Sequence, residues 1–557
     1  MTRGKPITDP TPPPTRRAIR ISYRPLRLIG WALLLFTVLF WRLGTPTFWD
    51  PDEAHYAETT RELIVTGDWL APYYNEHPFF DKPILFHLLQ AIPMTMLGPT
   101  ELAARLVPAL AALTLVGLTA WLGAAIVSAD VAVVGALLLA ISPGLFALAR
   151  YAILDTLFTA FVFSGASLVT VAALKDRPAL QYGGYVLIAL AVLTKGPLAI
   201  VLCGLSFLLS IAVSADARRR LLRLHWVIGL VMVVAIAAPW FVYMWLRFDS
   251  TFVDGYVLNE NLRLFGQSMY TRQPGWWFYF QILAAGLLPW TAILAGRLYD
   301  DIRRAIRGRE RLDTFEVLLW AWTLAVVGFF TFSKFKLDHY VLRAWVDVRE
   351  RPVDPSNAGT RIGCHLVGPL LVAVGGGAGY FLIARLELPP AALMVPAAMM
   401  LAGAFIAIRA NLWIAAPRVP WIAVSAMTIT YAGILFWVIP ALEHRKVVPD
   451  VARWVAARAA PGDRVASYRL NRWNTAYRFY VNRHTDMLES PEEALAFFDR
   501  PEPFYCAMLA PAYEELVAQG VPLRQVYSRE GMWATSGRVL WRRRIPPTEF
   551  VVVTRAP

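Results

Sequence analysis

Residues 48–64, FWDPDEAHYAETTRELI, crowd Asp50, Asp52 and Glu53 into four positions just after the first long apolar run of the chain. Local structure explains two of the three. Asp50 as N-cap, Pro51 at the first helical position and Glu53 reaching back would form a capping box. Asp52 is left over, with His55 and Tyr56 three and four positions on, on the same helical face. Asp52 with Glu53 would alternatively suit a divalent metal. A further carboxylate, Asp155 in RYAILDTLF, opens an apolar run. It is either an N-cap, favoured by the positive helix end, or one of the costly ionisable groups at membrane depth that mark functional sites.

Cations recur in similar settings. Lys82 precedes Pro83 in FFDKPILFH, where a cation opposes the dipole of the helix that follows and calls for an anion, with Asp81 the nearest candidate. Lys195 in LTKGPLAI separates two apolar runs, and SKFKLDHY ends another with Lys334, Lys336, His339 and Tyr340. Snorkelling to the interface is the ordinary role of such lysines. The long segment 247–275 adds Asn259, Glu260, Arg263 and Arg272, has no clean strand or helix period, and is of the kind that forms a lid over a site or is partly disordered. Lysines and arginines together suit a phosphate, and carboxylates suit a base, a metal or an amine.

The elements that must position these groups are membrane spans. The chain has 557 residues, 57% hydrophobic and 17% charged with 21 Trp, and repeated long apolar runs. A Pro- and Arg-rich tail, 1–27, reads as disordered and cytoplasmic. Residues 28–440 hold twelve apolar runs, near 28–44, 104–127, 130–149, 153–174, 182–194, 196–213, 226–246, 276–297, 314–332, 364–384, 389–408 and 419–440. The segment 82–97 is too short to cross and reads as interfacial. Basic loops 215–225 and 297–313 then fall on the cytoplasmic side, and 45–101, Asp155, Lys195, 247–275 and 333–340 on the other. Residues 441–557 alternate short strands (GDRVASYRL, FYCAMLA, EFVVVTRA) with helices (SPEEALAFFD, APAYEELVAQG), a small α/β domain. The net charge of +14 suits anionic lipid surfaces. No module for nucleic-acid binding is present. Three scattered cysteines support neither a disulfide framework nor a zinc site.

The stretches WDPDEAHYAETTRELIVTGDWLAPYYNEHPFFDKP, RYAILDT, TKGP and KFKLDHY resemble the protein O-mannosyltransferase superfamily of polyprenyl-phosphate-sugar-dependent glycosyltransferases, the GT-C fold. They are most similar to its branch that transfers 4-amino-4-deoxy-L-arabinose to lipid A phosphates. The resemblance implies a mainly α, polytopic bundle of thirteen spans, a large first periplasmic loop with interfacial helices, and a C-terminal periplasmic α/β domain. It implies an inner-membrane transferase whose donor is undecaprenyl phosphate aminoarabinose and whose acceptor is lipid A. Asp52 matches the acidic residue of the first loop, Asp155 the acidic residue before the fourth span, and Lys82 the acidic-Lys-Pro element. Lys334, Lys336 and Tyr340 match the late basic element near the carrier phosphate.

One stretch departs from the family pattern. Residues 341–364, VLRAWVDVRERPVDPSNAGTRIGC, are too polar to cross, which leaves twelve spans. A literal count then puts 441–557 in the cytoplasm, against the resemblance. Two other functions are compatible with the residues. A related lipid-linked transferase with a hydroxyl acceptor would need a carboxylate as general base. A transporter would carry inverted repeats with broken helices at mid-membrane, and none is visible in the sequence.

Overall fold

The computed structural model describes residues 25–263, 266, 275–307, 312–332, 358–384, 386–409, 419–470, 475–533 and 547–556. Seven helices among them are long and apolar enough to cross a membrane, and two further passes are bent pairs, Ala129–Ala140 with Pro143–Ala149 and Phe278–Gly286 with Thr291–Arg307. Four shorter apolar helices, Ile29–Phe40, Leu85–Leu97, Leu180–Lys195 and Leu198–Val213, accompany them, and the count of spans by length and composition is seven to nine among the described residues, against twelve expected. The chain is therefore a multi-pass membrane protein. Helix Leu85–Leu97, with 13 residues and Pro93 inside it, falls short of the length of a span.

Serine and threonine caps set where several passes begin. Thr100, Ser128 and Ser142 each accept from a backbone N–H in the first turn of the helix that follows. Helices Asp155–Leu174 and Leu180–Lys195 approach through Gly165 and Gly184. A Cβ on Gly165 would lie 2.9 Å from the Gly184 carbonyl oxygen, and a Cβ on Gly184 would lie 2.9 Å from that of Gly165. Without a hydrophobic force between helices in lipid, small residues of this kind allow the contact. The contact holds the start of one helix beside the end of the other.

Side-chain contacts fix which ends share a face. Asp216 bonds Thr314, and Glu316 bonds Arg297, so the residues near 216, 297 and 314 lie together. The Asp300 carboxylate accepts from the Gly359 and Thr360 amides, so helix Ala358–Ala384 also starts on that face. The literal count, which put 441–557 on the side away from the first loop, is corrected by the contacts of that domain with the loop itself. The C-terminal domain sits on the face of the 45–101 loop: Glu443 accepts from the Thr47 amide and hydroxyl, at 2.9 and 2.6 Å.

That domain is a five-stranded sheet, in spatial order 486–488, 464–468, 504–509, 548–555 and 523–531. The first three strands are parallel and the last two pair antiparallel. Helix Pro491–Phe498 starts with a capping box formed by Ser490 and Glu493. Strands 486–488 and 523–531 were not foreseen from the sequence. One hydrophobic cluster joins the sheet to the first loop, with Phe48, Ala54, Ala57 and Ala152 packed among Val448, Val451, Tyr477, Phe479 and Phe550. Domain and loop therefore share a core.

A cluster of paired charges at one rim of the bundle

The capping box proposed for Asp50 and Glu53 does not form. Helix Asp52–Thr66 starts after Pro51 with no side-chain cap. The Asp50 carboxylate instead accepts from the Ala476 amide of the C-terminal domain at 2.8 Å. Burial pushes its pKa up to about 8, against hydrogen bonds from 475–476 and the charge of Lys446. Glu53, fully buried, takes Arg105 Nε and Nη2 at 2.7 and 2.9 Å, the Trp49 amide at 3.1 Å and the Ala152 amide at 2.8 Å. Both oxygens are thus spent inside the protein, and of the carboxylates considered for a metal only Asp52 keeps partial exposure. Among the described residues no group of three His, Cys, Asp or Glu side chains is placed to hold a metal ion.

Asp155 is the first residue of its helix and does not cap it. Its Oδ1 lies 2.5 Å from Lys195 Nζ, with side-chain exposures of 4% and 8%. Lys195 Nζ also stands 5.9 Å from the Phe158 ring centroid. Lys82 donates to Glu260 at 2.7 Å and to the Asp81 carbonyl at 2.8 Å, so its anion is Glu260 rather than the Asp81 carboxylate. Burial opposes the Lys82 charge, but Glu260, Asp81 and Asp155 outweigh it and raise its pKa. The Asp81 carboxyl is pushed up to about 6 by burial and by Glu260, against the pull of Lys82. Glu260 belongs to the helical turns Val253–Arg263, so the part of 247–275 read as irregular is helical through Arg263.

His55 is buried and stacks on Tyr74, with ring centroids 4.1 Å apart. Burial and then the Lys82 charge lower its pKa to about 4, so it is neutral near neutral pH. Tyr56 meets Phe86 and His87 edge-on or tilted. The structure thus brings His55, Lys82, Asp155 and Lys195 within electrostatic reach of one another, one helical turn from Asp52. Arg272, Lys334, Lys336, His339 and Tyr340 lie outside the described residues. Sequence reasoning passed over the anchoring charges Arg105, Glu58, Glu62 and Arg478. The available signal was the density of charge in 52–62, more than one exposed helix face holds.

Residues 29–253 match the family model described as dolichyl-phosphate-mannose-protein mannosyltransferase. An undecaprenyl phosphate-alpha-4-amino-4-deoxy-L-arabinose arabinosyl transferase of Enterobacter sp. (strain 638) is 26% identical over 58% of this chain and 57% of its own length. Its counterpart from Proteus mirabilis (strain HI4320) is 30% identical over 61% and 64%. The chain spans well under two thirds of the Enterobacter relative. The crystal structure of ArnT from Cupriavidus metallidurans in the apo state superposes with a TM-score of 0.74 at 20% identity, covering 95% of this chain and 98% of that one. The same protein bound to undecaprenyl phosphate gives a TM-score of 0.71 at 19% identity, with the same coverage. The fold is the GT-C fold of membrane-embedded transferases, completed by a small C-terminal sheet domain. The chain is similar to the mannosyltransferase family over residues 29–253, and to the aminoarabinose transferases over more than half of its length.

Proposed function

We propose that the protein is an integral-membrane glycosyltransferase that moves 4-amino-4-deoxy-L-arabinose from undecaprenyl phosphate to phosphate groups of lipid A, at the periplasmic face of the bacterial inner membrane. One observation carries the reading. Two lysines, Lys82 and Lys195, stand against carboxylates at 2.7 and 2.5 Å at one rim of the bundle, beside the helix of Asp52. A prenyl-anchored sugar needs that setting, because its tail stays in the bilayer while its phosphate rests at the rim. An acceptor oxygen attacks the anomeric carbon, the bond to the carrier phosphate breaks, and the bonding pair leaves on that phosphate. Lys82, released from Glu260, is the group suited to stabilise the charge that develops there. A lipid A phosphate enters already ionised and needs no base. Asp52 and Asp155 are then suited to orient the ammonium and ring of the donor rather than to take a proton.

The mannosyltransferase description of the family model favours a second reading, in which the acceptor is a protein hydroxyl and Asp52 its base. Mass spectrometry of lipid A from cells with and without the gene separates the two. A phosphate-linked aminopentose that depends on the gene is expected. Unmodified lipid A together with glycosylated membrane protein would reverse the assignment.

A further inference from the structure

The C-terminal domain touches the helix of Asp52 at two points on either side of that residue, both from the short helix Ala476–Val481. Before it, the Ala476 amide donates to Asp50 at 2.8 Å. Beyond it, Arg478 Nε lies 2.7 Å from Glu58 Oε1, and its Nη2 lies 2.7 Å from Glu62 Oε1. Glu58 also takes Arg61 at 2.7 Å. All four side chains of this cluster are less than 9% exposed. Glu58 and Glu62 are one turn apart, a like-charged pair that weakens a helix unless a cation stands between them. Burial makes that cation obligatory, since an uncompensated carboxylate here would be strongly destabilising.

The contact continues toward the site. Glu62 accepts from the Asn75 and Glu76 amides at 2.7 and 3.0 Å, and both residues have positive φ, 53° and 64°. Glu62 thus holds the turn of the hairpin 73–78, whose Tyr74 stacks on His55. A single guanidinium therefore fixes the helix that starts with Asp52 and, through Glu62, the ring that covers His55.

Resting on the glycosyltransferase reading above, we propose that Arg478 is a positioning residue: the C-terminal domain sets the placement of Asp52 and His55 relative to Lys82 and Asp155, and catalysis requires it. The test uses full-length protein in detergent. Arg478→Met removes both contacts, Arg478→Lys keeps the charge, and the double variant Arg478→Met with Glu62→Gln leaves Glu58 paired with Arg61 and no uncompensated buried charge in the cluster.

Displacement by about 1 Å costs on the order of 10²-fold in rate. R478M is expected to lose about that factor in kcat per folded molecule, with donor KM changed less than about threefold, and R478K to recover part of it. The double variant is expected to regain the wild-type melting temperature without regaining kcat, and it decides the question if R478M alone does not fold. Amide hydrogen exchange across 52–58 is expected to quicken in the same variants whether or not sugar is transferred. Faster exchange in a protein whose wild type transfers no sugar would therefore refute the glycosyltransferase reading and leave the placement role standing. Wild-type kcat in the folded double variant, or unchanged exchange, would overturn the proposal.

Discussion

Replacing Asp155 by Asn leaves the Lys195 ammonium buried without its carboxylate. The pair is separated by 2.5 Å, and both side chains are under 10% exposed. At an effective dielectric near 20 the gross attraction is about 7 kcal/mol. Most of it offsets the cost of taking two ions out of water, so removing one partner is expected to cost about 3–5 kcal/mol. Lys195→Met should cost a similar amount for the converse reason. The double variant carries no buried charge and is expected to melt close to wild type, with a coupling energy of about 2 kcal/mol or more between the two sites. Thermal unfolding in detergent, read by the fraction surviving size exclusion, gives the stabilities of all four proteins, and sugar transfer to lipid A gives their rates. Transfer should stay depressed about 10²-fold or more in the double variant even where stability has returned. Strictly additive destabilisation, or full activity in the double variant, would refute this account of the pair.

Lys82→Met is expected to weaken binding of undecaprenyl phosphate about 10-fold or more, and Glu260→Gln to strengthen it several-fold by removing the competitor at 2.7 Å. Fluorescence titration of the solubilised protein reads both. Burial raises the folded-state pKa of Asp50 to about 8 from an ordinary 3.8, so the folded protein binds the extra proton between those values. Stability from this group therefore falls as pH rises from about 4 to 8. Asp50→Asn, whose amide oxygen can still accept from Ala476, should flatten that fall in melting curves taken across the range. His484 of the C-terminal domain has its pKa raised by Asp486 and, despite partial burial, by Glu76 of the first loop. Its contribution is present below the ordinary histidine value and lost as pH rises through the higher folded one. It is about half exposed, so His484→Gln should lower stability at pH 6 by only a few tenths of a kcal/mol and leave it unchanged at pH 8.5.

The membrane passes were legible because apolar runs of this length have one physical solution in lipid. Parity of those runs also put Asp155 and Lys195 on a common side. It did not pair them, since the pairing depends on how closely Gly165 and Gly184 let two helices approach. The capping box of Asp50 and Glu53 was a sound local inference that tertiary partners overrode. Arg105, 52 residues away, and Ala476, 426 away, offer better hydrogen bonds than the helix end does. Helical turns 253–263 carry too polar a sequence for an apolar period to reveal them. The side on which the C-terminal domain lies depends on contacts between distant positions, such as Asp50 with Ala476 and Phe48 with Tyr480, which no local pattern foretells.

The seam between first loop and last domain joins residues separated by 396 positions at Thr47–Glu443 and 420 at Glu58–Arg478. A ribosome adding about 5–20 residues per second would need roughly 20–80 s to deliver the second partner after the first. For that interval Glu58 and Glu62 wait solvated, and the segment that bears Asp52 has no mould to settle into. The seam that places the Asp52 helix therefore cannot close until synthesis is nearly finished, a delay written into chain order alone.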